Sequence, residues 1–282
     1  MKTIENNTIN KYLLFLKENE MSSATIEKYN RDLLCFCRFA DGRTIDKPLC
    51  LEYKEYLKEN YSVNSANSMV ASLNSFLKYI GKIECCVKQF KVQRKVFCDE
   101  ESELSKNDYK KLVRAANRKS TERLSLIIQT ICGTGIRVSE LKHITVESVY
   151  GGSAMVTCKG KTRTVFIVPS LQKLIIQYIR KHKLKDGSVF VTRSGKPLDR
   201  SNVWREMKNL CEKAGVSKKK VFPHNLRHLF ARMFYEIEKD IVKLADILGH
   251  SSVNTTRIYI ISTGYEHRMI MEKMKLVLPI TT

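Results

Sequence analysis

The apolar positions follow two regimes along the chain. Up to Gly81 they recur every three or four residues. In "SSATIEKYNRDLLCFCRFA" the residues Ile26, Tyr29, Leu33, Leu34 and Cys37 fall near one stripe, and Ser22 or Ser23 stands where a helix is capped. "KPLCLEYKEYLKEN" has Pro48 near its start, and "SANSMVASLNSFLKYIG" stops at Gly81. With the N-terminal segment, these predict a bundle of about four helices. The period then fails. "KQFKVQRKVFCDEE" is basic, then acidic, and reads as a connection between units.

Periodicity returns at Leu104. "LSKNDYKKLVRAANR" opens on Ser105 as a cap. "SLIIQTICGTGIRVSELKHI" predicts an apolar helix, a Gly-Thr-Gly break and a second helix. "SAMVTCKGKTRTVFIVP" reads as two strands about a short turn at Gly160, closed by Pro169. Helices are predicted again over about 170–184, 200–214, 224–238, 240–249, 252–260 and 265–277. The expected class is mainly α with a small β-sheet (α+β). Its expected parts are a helical unit over 1–85, a linker over 86–103 and a second unit over 104–282.

Composition adds a partner. The 282 residues include 50 Lys+Arg against 29 Asp+Glu, a formal charge of +21. That excess points to a polyanion, most simply nucleic acid. Solubility alone is better served by acidic residues. No run reaches the roughly 18 apolar residues of a membrane helix, and the N-terminus lacks a signal-peptide core. The nine cysteines are scattered without paired CxxC spacing. They read as thiols of a reduced, cytoplasmic protein.

Several residues can carry chemistry. Arg137, in "ICGTGIRVSEL", follows an apolar segment, so its charge needs a partner. Glu140 offers an ion pair, and a bound phosphate would suit the guanidinium fork. In "PHNLRH", a helix opened by Pro223 places His224, Arg227 and His228 on one face. Without an HExxH glutamate or a third ligand, an oxyanion suits that face better than zinc. His228 by itself reads as a satisfied core histidine. Lys159 and Lys161 are equally eligible near the hairpin tip. In "LADILGHSSVNTTRIYI", Tyr259 follows His250 by nine residues. Its phenol, with a pKa of about 10, needs cationic neighbours to act as a nucleophile at pH 7.

Taken in order, "GTGIRVSEL", "CKGKTR", "HNLRH", "LGHSS" and the tyrosine after them resemble the tyrosine recombinase (phage integrase) family. The helical N-terminal unit resembles that family's core-binding, SAM-like domain. The resemblance implies that Arg137 and Arg227 hold the scissile phosphate of DNA, with His224 and His250 beside them. It implies Lys159 as the general acid, preferred over Lys161 because it precedes the glycine, although Cys158 departs from the family's usual Gly. Glu140 and His228 would support the site from behind, and Tyr259 would attack to form a 3′-phosphotyrosyl bond. Neither a metal nor another cofactor is expected. The implied partners are double-stranded DNA with specific sites and a homo-tetramer on two of them, with room for an accessory DNA-bending factor. The segment "STGYEHRMIMEKMKLVL" would form a C-terminal helix docking on a neighbour, or in cis. The bundle starts near residue 4, leaving no room for an arm-binding domain, which is a more Xer-like layout. A silent DNA-binding relative and a type IB topoisomerase are the competing readings. Integration, excision, dimer resolution and inversion all stay open, as does the DNA target.

Overall fold

Short polar side chains start the helices of the N-terminal unit. In the computed structural model, which describes residues 6–92, 101–117, 121–158, 161–192, 194–260, 271–274 and 276, these are α1 (Asn6–Glu18), α2 (Ser23–Ala40), α3 (Lys47–Asn60) and α4 (Val63–Tyr79). Ser22, Asp46 and Ser62 cap α2, α3 and α4 by accepting from backbone N–H groups of the first turn. Pro48 sits in the first turn of α3, where its missing N–H costs nothing. Leu33, Phe36, Tyr53, Leu57, Leu73, Phe76 and Leu77 are the buried faces these helices share.

Residues 86–90, read from the sequence as the start of a linker, are packed on α4. Asn74 donates to the Val87 carbonyl at 2.8 Å and accepts from its N–H at 2.9 Å. About two turns earlier on the same face of α4, Asn67 does the same to Phe90 at 3.0 and 2.7 Å. Val87 is buried in the unit's core. The chain divides into two compact units, Met1–Arg94 and Lys95–Thr282.

The second unit contains α5 (Lys106–Ala116), α6 (Glu122–Thr134), α7 (Val146–Tyr150), β1 (Ser153–Cys158), β2 (Lys161–Phe166), α8 (Pro169–Lys181), α9 (Arg200–Ala214), α10 (Pro223–Glu238), α11 (Ile241–Leu248) and α12 (Val253–Arg257). Its core is built around α6, where Leu124, Leu126, Ile127, Ile128 and Ile131 are all buried. The strands pair antiparallel from Ser153↔Phe166 to Cys158↔Lys161. Ala154, Val156 and Val165 face the core, while Met155 and Phe166 face outward, as the two-residue period requires.

Two elements differ from the sequence expectation. After the Gly-Thr-Gly break the chain forms a 3-10 helix, Val138–His143, not an α-helix. The Glu140 carboxylate folds back onto the Arg137 N–H, and Thr145 caps α7 only a few residues later, so no length remains for α-helical turns. The helix expected over 252–260 ends at Arg257 and passes through a turn to Tyr259. The turn at Gly160 and most of the helix expected over 265–277 lie outside the described residues.

Candidate active site

The site assembles where α6 ends. Gly135 takes a left-handed conformation (φ 66°) and turns the chain out of α6 toward Arg137. A Cβ there would lie 2.5 Å from the Phe230 ring, so only glycine fits. The Gly135 carbonyl accepts from Arg227 Nη1, on the first turns of α10. Arg227 Nη2 donates to the Leu248 carbonyl at 2.7 Å and to His250 Nε2 at 2.9 Å. Only 1% of Arg227 is exposed, and its Nε has no partner among the described residues. One buried guanidinium thus ties together the ends of α6 and α11.

His250 follows Gly249, the left-handed cap of α11. Its Nε2 accepts from Arg227, so its Nδ1–H donates to the buried Thr256 hydroxyl at 2.8 Å. Burial and then the Arg227 charge pull its pKa down to about 4. Burial, then His224, pull His228 down to about 3. His224 is lowered too, by burial and then Arg227. All three imidazoles are therefore neutral at pH 7. Burial, with Arg137 nearby, brings even Arg227 down to about 10.

Tyr259 lies inside this group and is 6% exposed. Its ring stacks on His228 at 4.3 Å, meets His250 at 5.0 Å and meets His224 edge-on at 5.2 Å. The Arg227 guanidinium carbon is 5.8 Å from the ring centre. Leu244, Leu248 and Ala231 pack with it in a small apolar cluster. His228 is therefore a wall of the tyrosine's compartment, rather than a core residue alone.

Arg137 borders the site and is about one-third exposed. Its Nη1 donates to Glu140 at 2.9 Å, so the ion pair read from the sequence forms. Among the described residues no other guanidinium nitrogen of Arg137 is engaged, which leaves a face of the fork for an anion. Glu140 is 2% exposed. Burial works to raise its pKa, but hydrogen bonds from Arg163 and Arg137 outweigh it and hold it at about 2. Arg163 and Thr256 were not singled out from the sequence. Arg163 had a signal: its register partner is the inward-facing Val156, so strand alternation aims a charge at the core. Lys159 and the side chain of Lys161 lie outside the described residues. Among the described residues, no three of His, Cys, Asp and Glu converge as a metal set.

The arrangement thus brings a tyrosine, three imidazoles and two arginines together, the types of group that nucleophilic attack on an anionic phosphoester uses. Residues 102–264 match the phage integrase family, and residues 9–82 match the phage integrase N-terminal SAM-like domain. The chain belongs to the phage integrase family, and it is a site-specific tyrosine recombinase. It is 28% identical to tyrosine recombinase XerD of Listeria innocua, covering 90% of this chain and 93% of that one. It is 29% identical to tyrosine recombinase XerA of Pyrococcus furiosus, covering 98% and 96%. In fold it is similar to a lambda integrase dimer bound to a COC′ core site, with a TM-score of 0.73 at 18% identity and coverage of 92% and 96%. Lambda integrase is also known as a tetramer bound to a Holliday junction, with a TM-score of 0.73 at 17% identity over 90% of this chain and 76% of that one.

Proposed function

We propose that this recombinase cuts and rejoins DNA strands with Tyr259 as the nucleophile and Arg137 and Arg227 as the phosphate clamp. The observation that carries the reading is the cage of His224, His228, His250 and Arg227 around one buried tyrosine. As the Tyr259 oxygen bonds to phosphorus, its proton passes to a neighbouring imidazole. The phosphate's negative charge raises that imidazole's low pKa and makes it a competent base. The P–O5′ bond breaks, and the departing oxygen takes a proton from Lys159. The 3′-phosphotyrosyl ester conserves the energy of the bond, so rejoining needs no ATP. Arg137 and Arg227 stabilise the charge that gathers on the five-coordinate phosphorus.

The approaching phosphate also rearranges the site. Arg227 exchanges His250 Nε2 for a phosphate oxygen; the released imidazole then changes tautomer, with the Thr256 hydroxyl donating to Nδ1 and Nε2–H donating to the same phosphate. In the N-terminal unit, an open groove of about 610 Å³ lies between α2 and α4. Lys28, Arg31, Arg38, Asn64, Ser65 and Ser68 are among its lining residues. We assign it to the DNA backbone. Assembly as a homo-tetramer on two DNA sites completes the reading.

The test is a nicked DNA substrate drawn from the flanks of the protein's own gene, incubated in EDTA and resolved in SDS. A covalent protein–DNA adduct is expected with the native chain and none with Tyr259→Phe. An adduct that survives the substitution would move the nucleophile away from Tyr259.

A further inference from the structure

Arg163 touches neither Tyr259 nor Arg227 by hydrogen bond, yet it joins the two halves of the site. Its side chain is 12% exposed. From β2, Nη1 and Nη2 fork onto Glu140 Oε1 and Oε2 at 3.0 and 2.7 Å. Its Nε donates to the Ile247 carbonyl at 3.2 Å, three residues before His250. The stem runs beneath Gly249, where an added Cβ would stand 2.7 Å from Arg163 Cδ. Glu140 meanwhile holds the Arg137 N–H at 2.8 Å and Arg137 Nη1 at 2.9 Å. A continuous chain of contacts thus runs from Arg137 through Glu140 and Arg163 to the turn that carries His250.

We propose that Arg163 is a positioning residue for strand cleavage, setting the Arg137 guanidinium through Glu140 and the His250 turn through Ile247. This inference rests on the site reading above and deepens it. Electrostatics supply a second reason for a cation here. Glu140 paired with Arg137 alone would cancel the charge meant for the phosphate. A second guanidinium on the same carboxylate leaves the trio with a net positive charge. The chemistry also calls for arginine over lysine. Three nitrogens in one plane reach two carboxylate oxygens and a carbonyl at once, which a single ammonium cannot do in this geometry.

The experiment uses the full chain as wild type, Arg163→Lys, Arg163→Gln, Glu140→Gln and the Glu140→Gln/Arg163→Gln double variant. Equilibrium DNA binding, the single-turnover rate of adduct formation and thermal melting are measured for each, with Tyr259→Phe alongside. Loss of DNA affinity and loss of rate are read separately. Arg163→Gln is expected to keep its DNA affinity while adduct formation slows about 10- to 100-fold. Arg163→Lys should recover only part of the rate. The double variant should be no slower than the slower single, because both act along one path.

Wild-type rate in Arg163→Gln would overturn the proposal, as would a rate loss fully matched by lost DNA affinity. Multiplying losses in the double variant would overturn the route through Glu140. If Arg163→Gln does not fold, Arg163→Lys decides: slowed cleavage at unchanged affinity supports the proposal, and an unchanged rate overturns it. Absence of a wild-type adduct, or its survival in Tyr259→Phe, would instead bring down the reading of the site.

Discussion

The imidazoles around Tyr259 make protein stability depend on pH. His228 and His250 titrate at about 3 and 4 when folded, against an ordinary 6.5. Between those values the unfolded chain binds more protons than the folded one. Stability is therefore full above about pH 6.5 and is lost as the pH falls toward the folded values. Glu140, held at about 2 against 4.5, adds its own loss only below about pH 4.5. The interval between 6.5 and 4.5 thus isolates the histidines. One such imidazole contributes up to about 2 kcal/mol between pH 7 and 5. His228→Phe keeps an aromatic ring against Tyr259 and removes the proton. Its melting temperature should fall less steeply over that range than the wild type's, and an equal slope in the two proteins would refute the assignment. At this scale the sequence was uneven. Arg137, His224, Arg227, His250 and Tyr259 were legible because their order and spacing formed one pattern. Arg163 could be found only by carrying strand alternation through a charged position. Thr256, six residues past the histidine it orients, belongs to no pattern that sequence spacing reveals.

At the scale of elements, the site depends on how helices end. Gly135 closes α6 and Gly249 closes α11, both left-handed, and Arg227 bonds to the Gly135 carbonyl and to Leu248 beside Gly249. Gly135→Ala combines left-handed strain with a clash against Phe230. The expected cost is about 2–4 kcal/mol, or roughly 5–10 °C in melting temperature. A melt within a degree of wild type would mean that α6 can end another way. Helix starts were legible because Ser105 and Pro223 announce them. The 3-10 segment after Arg137 was not, because a carboxylate reaching back to its own turn decided it. The packing of residues 86–90 was hidden as well. It depends on two asparagines of α4 whose side chains imitate a neighbouring strand, and asparagine reads in a sequence as a neutral surface residue.

For the whole molecule, the charge of +21 governs how DNA is held. Binding that neutralises six or more phosphates should weaken about a thousandfold or more between 50 and 200 mM salt. Arg31→Ala/Arg38→Ala should lower affinity for all DNA sequences alike and flatten the salt dependence by about two charges. An unchanged slope would remove the groove between α2 and α4 from the interface. The fold class and the family were legible because helical periodicity and one ordered motif set run through most of the chain. The bonds that make the site are long-range in sequence. Arg227 reaches back 92 residues to Gly135 and forward 21 to Leu248, and Arg163 reaches 84 residues to Ile247. This has a consequence during synthesis. On a chain still emerging from the ribosome, Arg227 and the imidazoles of α10 have no Leu248 carbonyl, His250 or Tyr259 to close on until the segment from Leu248 to Tyr259 has been made. On the proposed assignment of Tyr259, a chain released before that point is expected to form no covalent DNA adduct.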